Sequence, residues 1–554
     1  MTRGGGATPT IAPPPSFRGT FRDDLPARAA YSEAAGIGRI IPLAVAVPLD
    51  ADDVVTLARW ANEKSLSLVP RGSGTSMSGG AIGAGVIVDL SAMNAIGEVD
   101  VRHRRVHVGP GALRGAVNAT AVRHGLRFPV DPSSGAYCTI GGMVSTNAAG
   151  AHSLRFGSTR PWVMALDCVF ADGSRARIAR GEPLPHDVPA VKRFLAEARP
   201  RIVEAGAVIG AAHRGVRKDS SGYALRAYAE SEELIDLLVG SEGTLAIVVG
   251  VELALAEIPP ATSGVLGAFA SLDDAVAAAA RARELGAAAC ELLDRTFLEV
   301  AEATISGLTS LPEGTEAVLL AEVESETAES AAAMAGRLAA SFREERATSV
   351  SVAITLGEQS EIWELRHAAS PILSRLDPSL KSMQFIEDGA VPPERLADYV
   401  RGVRAALDAR GVRGVIFGHA GDAHVHVNPL IDVSRPDWRS KVEGLLDDVV
   451  ALTSRLGGTL SGEHGDGRLR APLLADTWPA EEVELFAIVK SAFDPQGNLN
   501  PGVKVPLIGQ RAIADVKYDP DLPPIPPAAR AALDFVAGER AYATPRLSLV
   551  DRAE

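Results

Sequence analysis

The chain has 554 residues, 46% hydrophobic and 22% charged, with a formal net charge of −14. This is globular composition with apolar material for more than one core, and the acidic balance speaks against a nucleic-acid partner, because phosphate binding wants a basic field. The only cysteines, Cys138, Cys168 and Cys290, form no C-x-x-C pair, which suits a reducing, cytoplasmic setting and leaves no thiolate set for an iron–sulfur cluster. No run approaches the roughly 20 apolar residues of a transmembrane segment, and the start lacks an apolar signal core. Peripheral contact at the inner face of a membrane is compatible with all of this.

In chain order, residues 1–28 are rich in Pro and Gly and are expected to form a disordered tail. From Ile40, strand-like runs alternate with amphipathic segments such as Ala51–Lys64, up to a boundary at Pro259-Pro260, giving a first domain over 29–258. Two β-branched runs there enclose Arg71-Gly72-Ser73-Gly74-Thr75-Ser76-Met77-Ser78-Gly79-Gly80. Glycines let successive N–H groups converge on an anion, hydroxyls add donors and Arg71 adds charge, so the loop can cradle a pyrophosphate. A Gly-rich hairpin without ligand has the same composition. The loop precedes a strand, not a helix, and lacks G-K-S/T, so it is neither the Rossmann fingerprint nor a P-loop. The small, polar run from Val130 to Ser174 and the turn Gly240-Ser241-Glu242-Gly243-Thr244 suit close approach to a flat ring system.

Beyond Pro260 a β-α-β rhythm predicts a helix-backed antiparallel sheet, a capping domain over 259–480. Residues 437–456 read as a further amphipathic helix, the FDPQGNLNPG turn is expected to return over 481–505 to the first domain, and 506–554 reads as a C-terminal tail. Within the cap, His419 and His426 form an H-x6-H pair, followed by adjacent Glu463-His464 in SGEHGDGR. Three ligands leave a coordination position open, as catalytic metal sites do. His424 shares a strand face with His426, so two ligand pairs remain open. A metal-dependent hydrolase is one reading of this set; no G-x-S-x-G occurs, which sets serine-esterase chemistry aside.

The motifs P-R-G-S-G-T-S, D-P-S-S-G…T-I-G-G-M-V-S-T-N-A-A-G, R-K-D-S-S-G-Y-A-L, G-S-E-G-T-L-A-I, G-H-A-G-D-A-H-V-H-V-N, S-G-E-H-G-D-G and F-D-P-Q-G-N-L-N-P-G follow one another in this order over roughly residues 30–505. As a set they resemble the FAD-linked oxidases and dehydrogenases of the vanillyl-alcohol oxidase type, in the branch acting on D-2-hydroxy acids such as D-lactate, D-2-hydroxyglutarate and glycolate. The resemblance implies an α+β fold: a PCMH-type FAD-binding domain of two α+β subdomains, with a ferredoxin-like antiparallel-sheet substrate domain. It implies that Arg71, Gly72, Ser73, Gly74, Thr75, Ser76 and Gly79 hold the FAD pyrophosphate, and that Ser134, Thr139, Gly142, Asn147, Gly150, Glu242, Ile247 and Asn498 line the cofactor. His419, His426 and Glu463 are implied ligands of a divalent metal, zinc or manganese. His464 is the implied general base, and Arg366, Ser370 and Asn428 the implied holders of a small 2-hydroxy acid. The resemblance also implies hydride transfer to flavin N5. No His precedes the Gly-Ser-Gly-Thr turn where covalent relatives tether the flavin, so FAD is expected to be non-covalent, and His424 stands where relatives often have Asn. Relatives sharing the KSMQFIEDGAVPPERL stretch often continue into an iron–sulfur half. Electrons are therefore expected to pass to a separate acceptor: a quinone, an electron-transfer flavoprotein or an iron–sulfur subunit. A flavin subunit within a glycolate oxidase-like complex is the alternative.

Overall fold

The computed structural model describes residues 11–302, 311–367 and 379–553. The first sheet has strands β1 (Thr20–Arg22), β2 (Ala44–Val47), β3 (Leu68–Arg71) and β4 (Val86–Asp89) in the order β1-β2-β4-β3, with β2, β4 and β3 parallel. Parallel strands covered on both faces read as unbroken apolar runs, as VIVD does. The crossover helix Ala51–Lys64 is capped by the Asp50 carboxylate at the N–H groups of Asp52 and Asp53 and ends in left-handed Ser65. It buries Val54, Leu57, Ala58 and Ala61 against this sheet.

A second sheet has β5 (Ile96–Asp100), β6 (Arg105–Val108), β8 (Val163–Val169), β9 (Arg175–Ala179) and β10 (Ile247–Ala254) in the order β5-β6-β10-β8-β9, while β7 (Leu126–Arg127) pairs with β11 (Ala256–Glu257). Its core is completed from far along the chain. The helix Ala480–Phe493 adds Leu485, Phe486, Val489 and Phe493, the last stacked at 6.1 Å on Phe170. The Asp494 carboxylate then closes the FDPQGNLNPG turn on the N–H groups of Asn498 and Leu499, and Leu499 bridges to Leu68 on the free edge of β3.

The third sheet is antiparallel throughout. It contains β12 (Ala261–Phe269), β13 (Ala289–Asp294), β14 (Ala317–Ser325), β15 (Ser349–Ala353), β16 (Leu380–Ser382), β17 (Gly389–Ala390), β18 (Arg413–His419) and β19 (His424–Asp432), ordered β15-β12-β14-β13-β18-β19-β16 with β17 on β19. Helices Leu272–Glu284, Ala328–Glu344, Leu396–Ala409 and Trp438–Arg455 contribute to one core with Cys290, Leu292, Ile416, Val425 and Val427. Side chains alternate along a strand, so Glu291, Phe417, His419, His426 and Asn428 share the opposite face. That face looks toward the first two sheets. The whole is the α+β arrangement expected.

The described residues of the two expected tails include regular elements. Thr20–Arg22 pairs with β2 and Leu25–Ala30 is a helix capped by Asp24. At the other end, helices Pro527–Gly538 and Arg546–Ala553 pack on it, burying Ala29, Ala30 and Tyr31 with Ala529, Ala532 and Val550. Composition judges each piece alone. Their order comes from mutual burial of apolar surface, which neither could achieve by itself.

Candidate active site

A cleft of about 800 Å³ lies between the flavin-loop side and the bare face of the third sheet. Residues 71–76, Ser134, Thr139, Gly142, Glu242 and Ile247 line it, as do Arg366, His419, His426, Asn428, Glu463 and His464. Gly72 is required by packing, since a Cβ there would fall 2.1 Å from Thr139 Oγ1. That hydroxyl caps the helix Ile140–Thr146, accepting from the Gly142 N–H at 3.2 Å. The carbonyls of Gly74 and Ser76 accept from Ala35 and Gly36, whereas no acceptor among the described residues takes the N–H groups of residues 72–77. The Ser76 hydroxyl is buried without a partner. Buried donors left open in this way fit an anionic ligand, and a diphosphate suits the array. Arg71 lines the cleft, but its Nη atoms donate to the carbonyls of Ala81 (3.1 Å) and Glu33 (3.0 Å), so it braces the loop from behind.

Four of the expected cofactor residues stand behind the wall. The Gly79 carbonyl accepts from Arg468 Nη1, Asn147 caps the helix Ile140–Thr146 at φ 51°, the Gly150 carbonyl accepts from Lys218, and Asn498 sits in the Asp494 turn. Glu242 reaches the opposite way. Its carboxylate accepts from the N–H groups of Asp466 (2.7 Å) and Gly467 (3.0 Å) and pairs with Lys504, tying the flavin side to the SGEHGDGR turn. Gly467 has φ +53°, and a Cβ would lie 2.1 Å from the Ser78 carbonyl, so this turn seats only with glycine.

On the cap face, the Nε2 atoms of His419 and His426 lie 3.2 and 3.4 Å from the same Glu463 oxygen. A tetrahedral ion with bonds of about 2.1 Å spaces its ligands by roughly 3.4 Å. Each imidazole is oriented from behind: His419 Nδ1 by the Glu291 carboxylate at 2.6 Å, and His426 Nδ1 by the Glu387 carbonyl at 2.9 Å. Both partners only accept, so each Nδ1 carries a proton, and each Nε2, turned to Glu463, would offer a cation its lone pair on losing its own proton. The donor set therefore fits a divalent cation. Burial works against ionised Glu463, but the Lys218 ammonium, 2.9 Å away, and His419 outweigh it and hold its pKa well below the ordinary range. His424 joins the same cluster, with ligand atoms within 4.8 Å of the others. Its Nε2 bonds Asp388 at 2.9 Å, its Nδ1 has no partner, and burial pushes its pKa down to about 4.

His464 stacks on His426 at 5.4 Å, with Nδ1 held by Glu387 at 2.7 Å. Burial disfavours its charged form, yet Glu387 and Asp388 prevail and raise its pKa to about 10. Arg470 anchors both carboxylates from the far side. Arg366 donates Nε to Glu291 at 2.6 Å and lies over the Phe417 ring. Asn428 is buried in the cleft wall, and Ser370 lies outside the described residues.

Three structuring residues escaped the sequence reading. Lys218 and Glu387 sit inside quoted motifs, RKDSSGY and QFIEDG, each beside another charged residue, so nothing local marks which charge is buried in the site. Glu291 in CELLD is a carboxylate between apolar neighbours in mid-strand, and burial there demands a partner.

Residues 42–179 match the family described as FAD binding domain, and residues 258–503 that described as FAD linked oxidases, C-terminal domain. D-2-hydroxyglutarate dehydrogenase of Pseudomonas putida KT2440 is 32% identical over 512 residues, 88% of this chain and 50% of that protein. D-lactate dehydrogenase of Archaeoglobus fulgidus is 30% identical over 462 residues, covering 83% and 90%. Glycolate oxidase subunit GlcD of Bacillus subtilis is 30% identical over 489 residues, covering 87% and 93%. The chain spans about half the length of the D-2-hydroxyglutarate dehydrogenases it matches. Among solved structures, 4-ethylphenol oxidase from Gulosibacter chungangensis aligns with a TM-score of 0.60 at 15% identity, over 88% of this chain and 94% of that one. A likeness at that identity carries the fold alone. With the PCMH-type fold in place and 30% identity reaching across nine tenths of the Archaeoglobus protein, the chain belongs to the FAD-linked oxidase family, in its D-2-hydroxy acid dehydrogenase and glycolate oxidase GlcD branch.

Proposed function

We propose that this protein is a FAD- and metal-dependent dehydrogenase that oxidises a D-2-hydroxy acid to the 2-oxo acid. The observation that carries the reading is that Arg366, the His419/His426/Glu463 set and His464 open onto the same cleft as the open-donor loop 72–76. Bound flavin supplies a hydride acceptor, and a bound divalent cation supplies Lewis acidity toward the 2-hydroxyl. The chain's own part is orientation and proton transfer. Arg366, fixed through Nε by Glu291, turns its remaining guanidinium donors to the substrate carboxylate, and Asn428 assists. His464 receives the hydroxyl proton on Nε2 while Glu387 holds Nδ1. A divalent cation held by His419, His426 and Glu463 would bring positive charge beside His464 and would lower its hold on a proton, favouring the neutral imidazole that a base requires.

Anaerobic mixing with a panel of D-2-hydroxy acids tests this. Bleaching of the flavin by at least one of D-2-hydroxyglutarate, D-lactate or glycolate is expected, and an unbleached flavin across the panel sinks the reading. Acid or heat precipitation should release intact FAD into the supernatant, since no His precedes the Gly-Ser-Gly-Thr turn. Colour retained in the pellet would contradict non-covalent binding. Chelation should abolish turnover and Zn²⁺ or Mn²⁺ restore it. His426→Ala and Glu463→Ala should deplete metal measured by mass spectrometry, and His424→Ala should deplete it less.

We infer a separate electron acceptor, a reading supported by three buried cysteines that form no C-x-x-C pair. A quinone, an electron-transfer flavoprotein or an iron–sulfur subunit fills the role. The second reading, a flavin subunit in a glycolate oxidase-like assembly, rests on the likeness to GlcD and predicts turnover only when partner subunits are added. No helix among the described residues is long and apolar enough to cross a membrane.

A further inference from the structure

We propose that the segment from Ala537 to Arg546 closes the cleft over the ADP half of FAD, with Tyr542 and Tyr137 facing the adenine and Arg540 facing the diphosphate. This rests on the reading that the cleft binds FAD. Neither family description reaches this segment, as their matches end at residue 503. It lines the same cleft nonetheless, through Ala537, Gly538, Arg540 and Tyr542.

The need for such a cation follows from the loop itself. A diphosphate brings two negative charges to residues 72–76, whose donors are neutral. Arg71 directs its Nη atoms at carbonyls, and the nearby Arg114 donates its Nε to the Val130 carbonyl at 2.7 Å. Arg540 has no carboxylate partner among the described residues and lies over the Tyr137 ring at 5.2 Å. Its backbone adopts φ +54°, a left-handed conformation that a non-glycine residue holds only where surrounding structure enforces it. That turn, closed by the Tyr542 N–H on the Arg540 carbonyl at 2.8 Å, swings the chain from the end of the helix Pro527–Gly538 into the cleft wall. Tyr542 then stacks on Tyr137 at 5.6 Å and 28°, an offset aromatic pair beside the loop.

The segment is also held rigidly enough to act as a wall. The helices on either side of it share a core with Ala29, Ala30 and Tyr31, and Arg530 pairs with Glu33 at 3.2 Å. Arg546 is buried beside the Tyr542 ring with its Nε unpartnered. An inert strap across the domain would not require a buried arginine with an unsatisfied Nε.

The test titrates apoprotein of the full chain with FAD and, separately, with FMN, which lacks the adenylate half, following quenching of flavin fluorescence. Arg540→Ala and Tyr542→Ala should each weaken FAD binding on the order of 10-fold; Tyr542→Ala should leave FMN binding unchanged, and Arg540→Ala should weaken FMN, which keeps one phosphate, by clearly less than FAD. Arg540→Lys and Tyr542→Phe should recover most of the loss. Unchanged FAD affinity in both alanine variants overturns the proposal, and so do equal losses for FAD and FMN, which mark a purely structural strap. Thermal melting without ligand separates such a strap from a failure to fold. Wild-type apoprotein that binds neither flavin would instead sink the cofactor reading of the cleft.

Discussion

His464→Ala is expected to leave FAD and metal content unchanged and to slow flavin reduction by substrate on the order of 10²- to 10⁴-fold. The residue sits at the meeting point of the site. Its Nδ1 is fixed by Glu387 at 2.7 Å and its ring stacks on His426, yet 28% of its side chain stays open, against 8% or less for His419, His426, Glu463 and Glu387. A group so placed can meet a substrate hydroxyl while its neighbours stay dry. Rapid mixing that follows flavin bleaching reads the chemical step directly. Near-wild-type bleaching would move the base to another residue, and loss of metal would make His464 a ligand.

Glu291→Ala is expected to produce the largest loss of stability among single substitutions at the site. The Glu291 side chain is fully buried and joins His419 Nδ1 to Arg366 Nε, each at 2.6 Å. Burial alone would neutralise it, but His419 and Arg366 keep its pKa far below the ordinary carboxylate range, so it remains ionised at any pH where the protein works. Removing one partner of such a set strands a buried guanidinium and costs about 3–5 kcal/mol. The expected readouts are a lower melting temperature, a raised KM as Arg366 loses its orientation, and weaker metal retention as His419 loses its backing. Glu291→Gln keeps an acceptor for one neighbour only and should fall between. A variant with wild-type melting and KM would show that Glu291 orients neither residue.

Much of this arrangement is legible in the linear chain because it is local. The 71–80 loop, the H-x6-H pair and Glu463-His464 each carry their geometry in short spacing, and strand alternation puts His426 and Asn428 on one face. What the chain conceals is long-range. Glu291 meets His419 across 128 residues and Lys218 meets Glu463 across 245, and no periodicity encodes which buried charge answers which. Arg71 shows a related difficulty: residue type predicts a phosphate ligand, while the carbonyls of Glu33 and Ala81, placed by tertiary packing, claim its donors. The described ends differ from the expected tails for the same reason: the Leu25–Ala30 helix and the Ala-rich helix Pro527–Gly538 bury their apolar sides on each other, a pairing that neither segment's composition reveals.

The return of the chain to its first sheet has a consequence for biosynthesis. Asn500 donates to the Gly80 carbonyl from 420 residues away, and Arg22 pairs with Asp551 across 529. Closing contacts of such span is slow, and on the ribosome the early strands emerge long before their partners exist. The strands of the capping sheet lie between those partners and can pair early, although its core also takes in Ile37, Ile513 and Val516. The nucleotide-binding half is thus expected to close late, which would place cofactor capture after synthesis of the residues around Asp551 and would leave that half open to holdase chaperones until then.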